Sequence, residues 1–185
     1  MQIYLQKQVA RSVGLRAGPA PRLTRPPRSV LFICHGNIIR SAMAAALLRA
    51  LLEPTAAVQV RSAGVAAKDG RGADSLALTL APAFGVSLDD HRAQSLTDEL
   101  IRSSDALFVM DYLNEARLLA RFPEARRKTW LLGAFDPDHS RSSTEIADPY
   151  GKGEEAVRGC FLRLNRCVEQ LVHQLTCTAP SEATV

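Results

Sequence analysis

The sequence predicts a three-layer α/β/α fold, doubly wound around a four-stranded parallel sheet. Two observations predict it. Short apolar runs alternate with helix-patterned segments along most of the chain, which is the pattern of strand–helix–strand units. The apolar runs carry no polar alternation, as expected of strands covered on both faces.

Taken in order, Ser29-Val-Leu-Phe-Ile-Cys34 reads as the first strand. Ser41 to Glu53 is rich in Ala and Leu and stops at Pro54, so it reads as a helix. Ala57 to Ser62 is the second strand, and Asp74 to Phe84 a helix stopped by Gly85. Thr97 to Ser103 is a short helix. Asp105 to Met110 is the third strand, with a helix to Arg121 behind it, and Lys128 to Leu132 is the fourth strand. A long polar stretch follows, unusual inside a compact domain and therefore a candidate for function. Glu154 to Leu175 closes the domain as an amphipathic helix, with Val157, Phe161, Leu164, Val168, Leu171 and Leu175 on one face.

Three domain segments follow from this reading: a leader over 1–28, a folded body over 29–176 and a flexible tail over 177–185. The leader holds Lys7, Arg11, Arg16, Arg22, Arg25 and Arg28, no acid, and helix-breaking Pro19, Pro21, Pro26 and Pro27. It is expected to be disordered. Its composition fits an organelle transit peptide or an upstream misplaced start, and it lacks the apolar core of a secretory signal. Removing its six cations from the 23 Lys and Arg leaves 17 against 19 Asp and Glu, so the body carries −2. The overall +4 therefore belongs to the leader, and no nucleic-acid-binding face is expected.

Hydrophobic residues make up 46% and charged residues 23%, which excludes a disordered class. No apolar stretch reaches the roughly 20 residues that cross a bilayer, so no membrane insertion is expected. Of the four cysteines, Cys160 and Cys167 share the last helix, about 10.5 Å apart along its axis, too far to pair. No cysteine or histidine spacing suits a metal, so neither metal nor organic cofactor is expected. Unpaired thiols fit a cytoplasmic location.

The chemistry concentrates in Cys34-His-Gly-Asn-Ile-Ile-Arg40-Ser41, where the first strand delivers a cysteine to a loop and a helix start. A loop wrapped at a helix N-terminus turns its amides inward as an anion site, here those of His35, Gly36, Asn37, Ile38, Ile39, Arg40 and Ser41. Gly36 is expected to permit the tight turn, and Asn37 to tolerate a left-handed backbone. Arg40 offers a planar fork for two phosphate oxygens. The same field is expected to favour a Cys34 thiolate, whose departure Ser41 Oγ can assist. The spacing of Cys and Arg alone is weak evidence; the strand, Gly, Asn, Ser and helix around it make the argument.

With those pieces assembled, the sequence resembles the low-molecular-weight protein tyrosine phosphatases. Cys34 to Ser41 looks like their phosphate loop. Ser62-Ala63-Gly64, Asp90-His91-Arg92-Ala93-Gln94, Val109-Met110-Asp111 and Asp148-Pro149-Tyr150 follow in the family's order. Ala63 to Asp74 looks most like bacterial members that partner tyrosine autokinases controlling exopolysaccharide production. The resemblance implies Cys34 as nucleophile, Arg40 as phosphate grip, and Asp148 as general acid and then base. It implies that His91 helps hold Asn37, with Ser41 and Ser62 in the same supporting network. Tyr150 and His35 are candidates to touch the substrate ring, and Asp111 reads as structural, with a role in tuning the site as the alternative. The implied substrate is a phosphotyrosine protein.

Four positions depart from the family pattern. His35 stands where an aliphatic residue or threonine is usual. Ile39 replaces a second cysteine that can trap an oxidised nucleophile reversibly, so peroxide damage is expected to resist dithiothreitol. Ala42 replaces a proline and Ala45 a glutamate, with an expected cost in helix-end stability. Three alternatives stay open on these residues. One is a loop that holds phosphate without turnover. Another is a phosphoarginine phosphatase, against which Ile38 stands where its members carry threonine. The third is an arsenate reductase, which needs relay thiols that the stretch 80–110 lacks.

Overall fold

The computed structural model describes residues 21–23, 25–52, 57–138 and 143–176. The leader over 1–28 falls mostly outside the described residues, as does the whole tail over 177–185. Residues 21–23 and 25–28 are described, and the first three lie against the body. The Leu23 amide donates to Gln174 Oε1 at 3.0 Å, and Gln174 Nε2 donates to the Pro21 carbonyl at 3.1 Å.

Four strands form one parallel sheet: β1 Ser29–Cys34, β2 Gln59–Gly64, β3 Ala106–Val109 and β4 Thr129–Leu131. Their spatial order is β2-β1-β3-β4. β1 is fully buried, with Leu31 and Ile33 in one core and Val30, Phe32 and Cys34 in the other. This is the period-two alternation of a strand covered on both faces. The helices are α1 Arg40–Leu51, α2 Ser75–Leu80, α3 Asp98–Arg102, α4 Tyr112–Arg121 and α5 Glu154–Thr176. α1 and α5 pack over the larger core, and α3 and α4 cover the smaller one. Strands are added on one side of β1 for β2 and on the other for β3 and β4, so the strand order reverses between β1 and β3, and Cys34 stands at that switch point, where such sheets bind ligands.

Several element boundaries differ from the sequence reading. The helix expected over 74–84 is α-helical only to Leu80 and tightens into a 3₁₀ turn, Ala81–Phe84. Pro82 cannot donate to an α-helical ladder, and Gly85 closes the turn at φ 74°. β4 is three residues long, framed by the 3₁₀ turns Pro123–Lys128 and Leu132–Phe135. Ala42 and Ala45 are buried in α1, so their role is core packing, not helix-end electrostatics. A glutamate at position 45 would bury a charge here.

Candidate active site

β1 ends at Cys34, and the chain then wraps before entering α1. Asn37 carries the turn: its φ of 54° is the one left-handed non-glycine conformation among the described residues. Gly36 does not carry it, contrary to expectation. Its φ is not positive, and a Cβ there would meet nothing closer than Ile38 Cγ1 at 3.6 Å. The glycine that the loop requires is Gly64, at the end of β2. A Cβ at that position would lie 2.6 Å from the His35 carbonyl and 3.0 Å from the Asn37 amide.

A buried network holds the wrapped loop. Asn37 Nδ2 donates to Ser41 Oγ at 2.8 Å and Ser62 Oγ at 2.9 Å, while Asn37 Oδ1 accepts from the Gln94 amide at 3.0 Å. His91 Nε2 lies 2.6 Å from the Asn37 carbonyl. A carbonyl only accepts, so Nε2 carries the proton. Burial chiefly holds the His91 pKa below its usual value, aided by Arg49 and Arg92 and opposed by that carbonyl. The structure thus brings Asn37, Ser41, Ser62 and His91 together behind the loop.

Cys34 Sγ sits in front of this network, 3.0 Å from Ser41 Oγ and 3.3 Å from the Asn37 amide nitrogen. The amides of Gly36, Ile38 and Ile39 have no acceptor among the described residues, and Ile39, the residue before α1, gives the helix no side-chain cap. Free amides at a helix start suit an oxyanion. Above them is a pocket of about 240 Å³ lined by Cys34, Ile38, Arg40, Asp148 and Tyr150. His35 stands exposed on its rim, and Tyr150 is 57% exposed.

Arg40 is buried and spans the switch point. Its Nη1 donates to Asp111 Oδ2 at 2.7 Å and to the Ile146 carbonyl at 3.1 Å, and its Nη2 pairs with Asp148 Oδ2 at 2.7 Å. Burial works against its charge, but Cys34, Asp148 and Asp111 more than offset this and hold its pKa above the ordinary value. Asp111 also caps α4 through the Asn114 amide at 2.7 Å. It therefore aims Arg40 as well as starting a helix, so the two alternatives for Asp111, a structural role and a tuning of the site, are combined in one side chain.

The segment bearing Asp148 is moored to the body. The Ile146 amide donates to the Met110 carbonyl at 2.7 Å. Arg163, on α5, donates to the carbonyls of Ser143 and Glu145 and pairs with buried Asp136 at 2.9 Å. Gly133 lets the segment pass, since a Cβ there would strike the Thr144 carbonyl. Gln94, Arg163 and Asp136 were not singled out from sequence. Gln94 had a signal, its place in the His91 segment; the Arg163–Asp136 pair had none, because its partners are far apart in the chain.

Cys160 and Cys167 are unpaired and buried in α5, and burial pushes each thiol up to about 12. No group of three or more metal-ligating side chains occurs among the described residues. No described helix is long and apolar enough to cross a membrane.

Comparison with known proteins agrees with this geometry. The family described as low molecular weight phosphotyrosine protein phosphatase matches residues 29–180. The probable low molecular weight protein-tyrosine-phosphatase AmsI of Erwinia amylovora is 36% identical over 148 residues, 80% of this chain and 97% of that protein. The low molecular weight protein-tyrosine-phosphatase Etp of Escherichia coli K12 is 35% identical over 148 residues, 80% and 95% of the two chains. Among solved structures, Wzb from Escherichia coli K30 with sulphate superposes at a TM-score of 0.72 and 36% identity, covering 80% of this chain and 99% of that one. The YwlE arginine phosphatase from Geobacillus stearothermophilus gives 0.71 at 34% identity, covering 80% and 92%. A wrapped anion loop at the switch point, matched over nearly the whole body, makes this chain a member of the low molecular weight phosphotyrosine protein phosphatase family.

Proposed function

We propose that the chain hydrolyses phosphotyrosine on proteins in two steps through Cys34. The thiolate attacks phosphorus, the bond to the phenolic oxygen breaks, and Asp148 gives that oxygen its proton. Phosphate is then carried on sulfur. Asp148, now a carboxylate, takes a proton from water as the water attacks phosphorus, and the sulfur leaves as thiolate toward the Ser41 hydroxyl. Arg40 and the loop amides of His35 to Ser41, other than the Asn37 amide that faces the sulfur, hold the equatorial oxygens throughout, so charge stabilisation comes from fixed donors. Tyr150 and His35 flank the entering ring. The observation that carries this reading is one sulfur facing Ser41 Oγ and the Asn37 amide, beneath Arg40 and Asp148.

Phosphate must take Arg40 Nη2 away from Asp148 to bind. That exchange hands the oxyanion to Arg40 and frees Asp148 for the leaving group. The substrate we favour is a phosphorylated tyrosine autokinase of exopolysaccharide synthesis, in the cytoplasm. Similarity to an arginine phosphatase structure supports a second reading, phosphoarginine hydrolysis. Buried Ile38 offers no hydroxyl to a nitrogen-linked substrate and favours the aryl ester. The buried, unpaired Cys160 and Cys167 weigh against a thiol relay of the arsenate reductase kind.

The test is metal-free turnover of p-nitrophenyl phosphate by wild type, Cys34→Ser and Asp148→Ala. The expected result is activity in wild type, none in Cys34→Ser, and a loss of about 10²- to 10³-fold in Asp148→Ala. A wild type that binds vanadate without turnover would mark a phosphate-holding module instead. Faster hydrolysis of phosphoarginine than phosphotyrosine peptides would replace the substrate.

A further inference from the structure

Beside the phosphate pocket lies a second concavity of about 630 Å³, and the two share His35, Arg40 and Asp148 as a common wall. Its other side is built by α4, through Asn114 and Arg117, and by Glu145 and Lys152 around the Asp148 segment. Most charges facing it are already engaged. Arg40 holds Asp111 and Asp148, and Arg163 holds Asp136. Glu145 Oε1 accepts the Tyr112 amide at 3.2 Å. Arg117 and Lys152 are different: neither has a carboxylate partner among the described residues.

The side-chain contact of Arg117 is Nη1 to His35 Nδ1 at 2.7 Å. A guanidinium can only donate, so Nδ1 accepts, and the proton of the neutral ring lies on Nε2. Arg117 therefore sets the rotamer of the rim histidine while its remaining N–H groups stay available. Because the two concavities share the His35, Arg40 and Asp148 wall, a residue beside a phosphotyrosine seated on Arg40 has this concavity within reach.

We propose that the second concavity is a subsite for an anionic side chain next to the phosphotyrosine, a carboxylate or a phosphate, bound by Arg117 with Lys152 adding charge. The proposal rests on the phosphatase reading and adds the sequence context that the enzyme selects. Planar oxyanions match the guanidinium fork, and a rim charge acts on capture and selectivity more than on chemistry.

The experiment compares kcat/KM for phosphotyrosine peptides that differ at the flanking positions: Glu, isosteric Gln, or phosphoserine. Wild type is expected to favour Glu and phosphoserine over Gln by about fivefold, the upper range for an exposed charge pair, with the preference fading as salt rises. Arg117→Gln is expected to bring the ratio near one, and Arg117→Glu to reverse it toward Lys-flanked peptides. The ratio within each variant cancels any general loss of activity. A gain with phosphoserine alone would identify phosphate as the source of the anion, and a gain with Glu alone the carboxylate; either supports the subsite. Equal rates in wild type, or a ratio unchanged in Arg117→Gln, would overturn it. If no peptide turns over, the phosphatase reading fails, and the same ratios measured as Kd on Cys34→Ser decide the subsite separately.

Discussion

The floor and the rim of the site are built on opposite terms. On the floor, Cys34, Asn37, Arg40 and Ser41 are all at most 3% exposed, and hydrogen bonds engage the side chain of each. On the rim, His35 and Tyr150 stand in solvent, and the Asp148 side chain is 44% exposed. The floor is fixed when the protein folds. Groups there serve stability and chemistry at once, and cannot be changed for one alone. Apart from Asp148, the rim is free to vary, and His35 and Tyr150 act on what enters.

Four experiments test this contrast. Arg40→Lys is expected to have the largest effect, lowering kcat/KM for p-nitrophenyl phosphate by about 10²- to 10³-fold, because a point charge replaces a fork held by Asp111. A loss below tenfold would mean that the loop amides alone stabilise the transition state. Asn37→Ala comes next: it strands the Gln94 amide and places a Cβ-only residue at φ 54°. The expected cost is about 2–4 kcal/mol in urea unfolding, together with lost turnover. Full stability with lost activity would separate floor from fold.

Third is pH. The native His91 pKa lies below the ordinary 6.5, so the unfolded chain takes up this proton first as pH falls. Between 6.5 and the lower native value the unfolded state binds more protons, and stability must decline as pH drops through that window. His91→Gln is expected to flatten this part of the slope in urea midpoints measured from pH 7.5 to 5. An unchanged slope would assign acid sensitivity elsewhere. Smallest is Tyr150→Ala, expected to raise KM for phosphotyrosine peptide a few-fold and to alter stability by no more than about 0.5 kcal/mol. A clear drop in stability would move Tyr150 from the rim to the floor.

The contrast also separates what could be read from sequence. The strands were legible because burial on both faces writes an unbroken apolar run, as in Val30 to Ile33. The loop was legible because Cys34, Asn37, Arg40 and Ser41 are close in the chain. What escaped was long-range or dual. Asp111 was open between a structural and a site-tuning role, and only the fold shows that it has both, through Asn114 and Arg40. Arg163 looks like a solvated cation on α5 until Asp136 is set beside it. Gly36 drew attention as the loop glycine, yet the close approach belongs to Gly64, thirty positions from Cys34 in the chain and adjacent to it in the sheet. Propensity reports a residue's own backbone, not the neighbour it must admit.

The mooring of the Asp148 segment by Arg163 and the Met110 carbonyl has a kinetic consequence. The acid proposed here, Asp148, would reach the leaving group by turning its own side chain on a segment already held in place. Its ordering entropy is met once, during folding, and not again in every cycle. Turnover in such an enzyme should be insensitive to solvent viscosity beyond simple diffusion of substrate. New substrates would then be acquired by editing the entrance while the timing of the chemistry stays the same.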